Sequence, residues 1–302
     1  MKKRIVLILI IASFSCENET KSNGKLNIVT TTSMITDLVK NIGGDYVNLQ
    51  GLMGSGVDPH LYKASEGDVT KLVEANVIFY NGLHLEGKLV DVFEKMGNAT
   101  KTPIALGEEL NKSTLIGSDY FASNYDPHVW FDIAYFKQFA SKVAQVLSEN
   151  DPANAENYKS NAETYLNELE ALQSKIKATI ETLPKEKRIL VTAHDAFNYF
   201  GKAYDFEVVG LQGFSTATEA GVQDVQKLSA FIIERNIKAI FVESSVPKRT
   251  IEALQAAVKS KGHDVEIGGT LYSDALGNAG TAEGTYIGMF EYNVNTIVGA
   301  LK

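Results

Sequence analysis

Cysteine is almost absent from this 302-residue chain, and its single occurrence is Cys16. One cysteine cannot form an internal disulfide, so the fold has to be held together by a buried core. Apolar residues make up 44% of the chain, and its length is sufficient for two domains. The sequence therefore predicts a globular protein that is stabilised by packing.

Positive charge is also scarce. The chain has 29 Lys and Arg residues against 37 Asp and Glu residues, which gives a formal net charge of −8 at pH 7. An acidic surface repels phosphate, and the sequence has no basic stripe interleaved with aromatic residues. Nucleic acid is therefore excluded as an expected partner.

The apolar run near the N-terminus is too short to be a permanent membrane span. Residues 5–12 are apolar, follow three basic residues and precede small residues and Cys16. A transmembrane helix needs about 20 apolar residues, whereas this layout is typical of a secretory signal. We expect residues 1–15 to be a signal peptide, and residues 16–25 to comprise a lipidated cysteine and a polar tether.

The surroundings of Cys16 match a bacterial lipobox in part. Ser15 directly before the cysteine fits the motif, whereas Ser13 occupies the place where leucine is preferred. The lipid would anchor the protein to a membrane. The alternative is a plain secreted protein, in which Cys16 is lost with the signal or remains as a free thiol.

Short β-branched runs alternate with longer amphipathic stretches, a pattern typical of βα units around parallel sheets. Each half of the chain contains about four such runs. The strand candidates are residues 26–30, 47–52, 77–80 and 103–106 in the first half, and 188–192, 206–211, 239–243 and 265–268 in the second.

Between these halves, residues 151–183 carry apolar side chains at steps of three and four, which predicts one long helix. Asp151 is a suitable N-cap, Pro152 suits the first helical position, and Pro184 lies just past the end. The predicted fold is α/β, with two (β/α)₄ lobes of parallel strands, residues 26–150 and 184–302. The long helix over 151–183 joins the two lobes.

Four polar residues follow predicted strands, two in each lobe: His60, His128, His194 and Asp274. In parallel α/β sheets, ligands bind outside the carboxyl ends of the strands, so these side chains are expected to meet in one cleft. Imidazole and carboxylate groups suit zinc and, with weaker affinity, manganese. Three nitrogens and one carboxylate fill a tetrahedral shell, so the pattern predicts a metal site.

Other polar residues are weaker candidates. Glu243 ends a strand on the cleft side and is a candidate either for a ligand or for the acceptor that orients a ligand histidine. Asp132 could play the same orienting role or cap the helix after it. His84 follows a strand, as a fifth polar group or a surface residue. His263 precedes a strand and is expected to be a turn residue at the far end of its sheet.

Six motifs occur in order along almost all of the chain beyond the predicted signal. They are GVDPHLY at 56–62, NGLHLE at 81–86, DPHVWFD at 126–132, TAHDAF at 192–197, FVESS at 241–245 and YSDA at 272–275. Together they identify a chain that resembles the cluster A-I metal-binding proteins of ATP-driven importers, and most closely the TroA-type zinc and manganese binders.

This resemblance implies two (β/α)₄ lobes joined by one backbone helix, with His60, His128, His194 and Asp274 as ligands of a metal at the lobe interface. It implies a monomeric, extracytoplasmic lipoprotein that captures Zn²⁺ or Mn²⁺ and delivers it to an ABC permease. Manganese-dedicated relatives typically carry Glu where this chain has His194. Zinc-dedicated relatives often have a histidine-rich loop, whereas residues 107–125 contain no histidine. Binding of both metals is therefore expected.

Two other classes of function compete with this interpretation. A zinc hydrolase would use Asp195 or Glu243 to activate a metal-bound water, but catalytic zinc needs an open coordination position. The chain also has neither His-Glu-x-x-His nor Gly-x-Ser-x-Gly. A surface adhesin with a structural metal is the other alternative. The sequence favours metal transport without catalysis.

Overall fold

The computed structural model of the protein describes residues 24–97, 103–118, 121 and 123–302. The predicted signal peptide, the lipidation site at Cys16 and most of the predicted tether lie outside these residues. Within the described residues, no helix is both long enough and apolar enough to cross a bilayer.

The N-terminal lobe is built on a four-stranded parallel sheet, in which the first strand along the chain lies between the second and the third, and the fourth lies beside the third. Its core strands bury apolar side chains such as Ile28 and Phe79, and the hydroxyl of Thr32 caps the first helix by accepting from Ile35 N. The strands are β1 (Leu26–Thr30), β2 (Val47–Gly51), β3 (Val77–Tyr80) and β4 (Ile104–Ala105), and the helices are α1 (Ser33–Gly43), α2 (Glu66–Glu74), α3 (Val90–Gly97) and α4 (Ile133–Asn150).

The C-terminal lobe also has four parallel strands, which are hydrogen-bonded as two pairs. Its strands are β5 (Ile189–His194), β6 (Glu207–Gln212), β7 (Ala239–Glu243) and β8 (Glu266–Leu271), and its helices are α6 (Asn198–Tyr204), α7 (Val222–Glu234), α8 (Arg249–Ser260) and α9 (Tyr286–Leu301). In the described part of this lobe, backbone hydrogen bonds join the parallel pairs β5–β6 and β7–β8, with β5 next to β7. At the end of β5, the amide of His194 donates to the side chain of Glu243 on β7. The expected α/β fold with parallel sheets is confirmed.

A long helix, α5 (Ala155–Glu181), packs against α1 and α4 of the first lobe and against α9 of the second. With 27 residues it is about 40 Å long. Its apolar side chains face these neighbours and are buried: Tyr158, Ala162, Tyr165, Leu169, Leu172, Ile176 and Ile180.

This helix begins later than the sequence predicts. The amide of Asp151 donates to Leu147 O and so ends α4, and Pro152–Asn154 form a 3₁₀ turn. The Asp151 carboxylate accepts hydrogen bonds from Asn154 and Tyr158, which makes it a junction residue between two helices. The lobe boundaries drawn from the sequence, 26–150 and 184–302, stay predictions.

Aromatic side chains join the two lobes beneath the cleft. The indole N–H of Trp130 donates to Ser273 O at 3.1 Å, and the hydroxyl of Tyr286 donates to Trp130 O at 2.6 Å. The rings of Phe131 and Phe197 lie 4.4 Å apart. Trp130 and Phe131 are buried in the core. The carboxyl ends of the strands of both lobes are thereby held face to face.

Candidate metal centre

The four residues singled out from the sequence meet in one buried cluster between the lobes. One ligand atom from each of His60, His128, His194 and Asp274 lies within 4.8 Å of the others. The Nε2 atoms of His60 and His128 are 3.3 Å apart. Oxygens of the Asp274 carboxylate lie 3.8, 3.6 and 3.2 Å from Nε2 of His60, His128 and His194. All four side chains are essentially inaccessible to solvent.

Both histidines of the N-terminal lobe sit in an Asp-Pro-His loop, where the aspartate shapes the turn. The amide of His60 donates to Asp58 Oδ1 at 2.9 Å, and the amide of His128 donates to Asp126 Oδ1 at the same distance. In the second loop the same Asp126 oxygen also lies 2.7 Å from His128 Nδ1. The aspartate therefore fixes the ring of His128 as well as its backbone.

In the C-terminal lobe, His194 is the last residue of β5 and Glu243 the last residue of β7. Glu243 Oε1 accepts from the amide of His194 at 2.8 Å. Glu243 Oε2 lies 2.6 Å from His194 Nδ1, as a close ion pair without the alignment of a hydrogen bond. A carboxylate at Nδ1 directs the proton to that nitrogen and leaves the Nε2 lone pair free for a metal.

The Asp274 carboxylate is buried, and neither of its oxygens accepts a hydrogen bond from the described residues. A buried carboxylate without a hydrogen bond is costly, so such groups normally lie beside a cation. The neighbouring groups here are the three imidazole nitrogens. A cation placed among them would satisfy both the carboxylate and the histidines.

The pKa values of two histidines in the cluster are shifted in opposite directions. Burial lowers the pKa of His60 to about 3, so this imidazole is neutral at physiological pH. Burial also opposes protonation of His194, but the carboxylates of Glu243 and Asp274 outweigh it and raise the pKa of His194 well above 6.5. Burial acts against ionisation of Asp274, yet the imidazoles, His194 foremost, hold its pKa well below the usual range. In the metal-free cluster Asp274 is therefore ionised and His194 is protonated, and a metal bound at Nε2 of His194 would displace its proton.

His84, which the sequence offered as a fifth polar group near the cleft, lies outside the cluster. His84 is exposed, at the end of a left-handed turn with φ values of 78° at Gly82, 51° at Leu83 and 62° at His84. The buried carboxylate of Glu86 holds this turn by accepting from the amides of Asn81 and Gly82.

Two further candidates lie outside the cluster. His263 contacts Ile237 O through Nε2 at 2.9 Å, at the far end of its sheet. Asp132 accepts from the amide of Ala134, so it caps α4 rather than orienting a ligand.

Comparison with known proteins decides the family. The model of the family described as the periplasmic component A of the zinc-uptake complex matches residues 28–300. The chain belongs to this family. The resemblance inferred from the six motifs is thereby confirmed.

Two relatives show how close the match is. The zinc-binding protein TroA of Treponema pallidum is 47% identical over 280 residues, which cover 93% of this chain and 90% of the relative. The manganese-binding lipoprotein MntA of Bacillus subtilis is 46% identical over 308 residues, which cover 100% of both chains. The solved structure of the Treponema pallidum protein matches with a TM-score of 0.89, over 92% of this chain and 99% of that one.

The structure of this zinc-uptake family member also brings in residues that the sequence analysis did not assign. Asp126 holds the ring of His128, and its other oxygen accepts from Asn198 of the opposite lobe at 3.2 Å. Thr216, in the loop after β6, donates to Asp58 at 2.6 Å. The Asp-Pro-His pattern, which occurs twice in the sequence, could have pointed to Asp58 and Asp126 as residues that hold the histidines. Nothing local in the sequence marks Thr216, because its contact joins residues 158 positions apart.

Proposed function

We propose that this protein captures a zinc or manganese ion between its two lobes, outside the cytoplasm, and delivers it to the permease of an ATP-driven importer. The single observation that carries the proposal is the buried cluster of His60, His128, His194 and Asp274, whose carboxylate has no hydrogen-bond partner among the described residues. Three imidazole nitrogens and one carboxylate make a complete tetrahedral shell for zinc.

Each lobe supplies two of the four ligands, an arrangement that suits a metal which is carried and then released. Movement of one lobe away from the other would break the shell and release the ion. The long helix α5 contacts helices of both lobes, which favours a small tilt over a wide hinge.

Selectivity is proposed to include both metals. Among the similar proteins, TroA is named as zinc-binding and MntA as manganese-binding. A third imidazole at position 194 favours zinc, whereas manganese accepts such ligands with lower affinity.

The proposed partner is an ABC permease, and the proposed location is the outer face of a membrane. Several relatives, MntA among them, are named as lipoproteins, and others as substrate-binding lipoproteins of metal ABC transporters. These names support lipidation at Cys16 and anchoring through residues 16–25. We further propose that the protein acts as a monomer.

A catalytic role is not proposed. The relatives are named for binding metal rather than for a reaction. One oxygen of Asp195 accepts from the amide of Gly210 at 2.6 Å, and one oxygen of Glu243 accepts from the amide of His194, so each carboxylate holds the backbone. These contacts give no support to a hydrolase.

The test is titration of metal-free protein with Zn²⁺ and with Mn²⁺, combined with elemental analysis of protein purified without added metal. We expect one equivalent per chain. Replacement of His60, His128, His194 or Asp274 by Ala should weaken binding by about 100-fold or more, since each removes one of four ligands.

His263→Ala is the matched control and should bind like the wild type. Circular dichroism of the chelated variants should show an intact fold. Wild-type protein that binds neither metal, or alanine variants that bind as tightly as the wild type, would refute the proposal.

A further inference from the structure

A hydrogen bond crosses the cleft next to the metal cluster. The hydroxyl of Thr216, in the loop between β6 and α7 of the C-terminal lobe, donates to Asp58 Oδ2 in the N-terminal lobe at 2.6 Å. The other carboxylate oxygen of Asp58 accepts from the amide of His60 at 2.9 Å. Thr216, Asp58 and His60 therefore form a continuous chain from one lobe to a ligand of the other. Thr216 is 8% exposed and Asp58 is half-buried, so the bond is partly shielded from water.

Among the described residues, His60 is the one histidine of the cluster with no carboxylate at Nδ1. His128 has Asp126 of its own loop there, which itself accepts a hydrogen bond from Asn198 across the cleft, and His194 has Glu243 of its own lobe. For His60, the ring's polar contacts within the described residues are all at Nε2. Its imidazole is therefore placed by the backbone turn that Asp58 shapes.

We infer that Thr216 is a positioning residue that couples lobe closure to the grip on the metal. In the closed form its hydroxyl fixes the Asp58 carboxylate, and Asp58 fixes the loop that presents His60. When the lobes part, the Thr216–Asp58 bond is lost and the His60 loop is free to move, which loosens one of the four ligands. The inference rests on the proposed function, because it concerns retention of the captured divalent cation.

The hydrogen bond between Thr216 and Asp58 is strong enough to affect how long the metal is retained. A hydrogen bond from a hydroxyl to an ionised carboxylate is shorter and stronger than one between neutral groups. Because only the closed arrangement contains the bond, its loss should accelerate release and leave capture by the open form unchanged. A residue that merely stabilised the loop would not produce this division.

The experiment measures transfer of Zn²⁺ from the loaded protein to an excess of chelator by stopped flow. Thr216→Val removes the hydroxyl at nearly constant volume, and we expect release about tenfold faster with an unchanged association rate, as for loss of one charged hydrogen bond. Thr216→Ser keeps the hydroxyl and should release at close to the wild-type rate. Thr218→Val makes the same substitution at an exposed position of the same loop and should have no effect.

A double-mutant cycle with Asp58→Ala identifies the partner. If Thr216 acts through Asp58, Thr216→Val should add nothing to the faster release of the Asp58→Ala variant. Equal release rates for Thr216→Val and the wild type would overturn the inference, as would equally fast release from Thr216→Ser or a full Thr216→Val effect in the Asp58→Ala background. In each case, one equivalent of zinc on the wild type would leave the proposed function standing. A wild type that binds no zinc would overturn both.

Discussion

Nδ1 of His194 lies 2.6 Å from Oε2 of Glu243, and Oε1 of the same carboxylate accepts a hydrogen bond from the amide of His194. The Glu243 side chain, at the end of β7, thus contacts both the ring and the backbone of His194, at the end of β5. This arrangement fixes the direction in which Nε2 of His194 points. It also explains why His194 faces Asp274 at 3.2 Å.

Glu243→Gln should lower the affinity for Zn²⁺ by about 10- to 100-fold, the range typical when a group that orients a metal ligand is lost. The amide can donate to Nδ1 of His194, which favours the tautomer with its proton on Nε2, where the metal has to bind. Calorimetric titration of the variant measures the change. Glu252→Gln, exposed on α8, is the matched control. Unchanged affinity in Glu243→Gln would show that the ion pair does not orient the ligand.

Zinc binding should release the proton that His194 carries. The raised pKa of His194 keeps this imidazole protonated in the metal-free protein, whereas the pKa of His60, lowered to about 3, keeps that ring neutral. Because the metal has to displace the proton of His194, affinity should fall as the pH is lowered below 7. Calorimetry in buffers of different ionisation enthalpy detects the released proton. Affinity that does not depend on pH, or binding without proton release, would contradict this.

The pH prediction shows what the sequence could and could not provide. Three histidines in one site lead to the expectation that protons compete with the metal for all three at their ordinary pKa. Instead, burial lowers the pKa of His60, whereas two carboxylates raise the pKa of His194. The strand ends at Tyr80, Glu243 and Leu271 were predictable within a few residues, because the period of apolar residues is local. The pairing of Thr216 with Asp58 was not, because it arises only when the lobes come together.

His194→Glu should shift the balance of metals. Imidazole favours zinc, whereas a carboxylate offers harder oxygen ligands that suit manganese, so the zinc-to-manganese affinity ratio should fall by about tenfold, or about 1.4 kcal/mol. Any strain that the new carboxylate causes beside Glu243 affects both metals alike and cancels in the ratio. Titration of both metals into the wild type, His194→Glu and the control His263→Glu provides the test. An equal or larger ratio in His194→Glu would assign selectivity to the geometry of the lobes.

Cys16→Ser should release the protein from the membrane. The cysteine follows a signal-like apolar run and precedes a polar tether, and its acyl chains would be the only anchor proposed for the protein. In cells, the variant should appear in the soluble extracytoplasmic or culture fraction, while the wild type partitions into detergent. Identical partitioning of the two proteins would show that Cys16 does not hold the protein on a membrane.

The ligand set is the central claim, and anomalous diffraction at the zinc edge from crystals of the zinc-loaded protein tests it most directly. We predict one strong peak per chain between the lobes, at about 2.0–2.2 Å from Nε2 of His60, His128 and His194 and from a carboxylate oxygen of Asp274. A peak bound by other residues, or one in which water replaces any of these four ligands, would contradict the account.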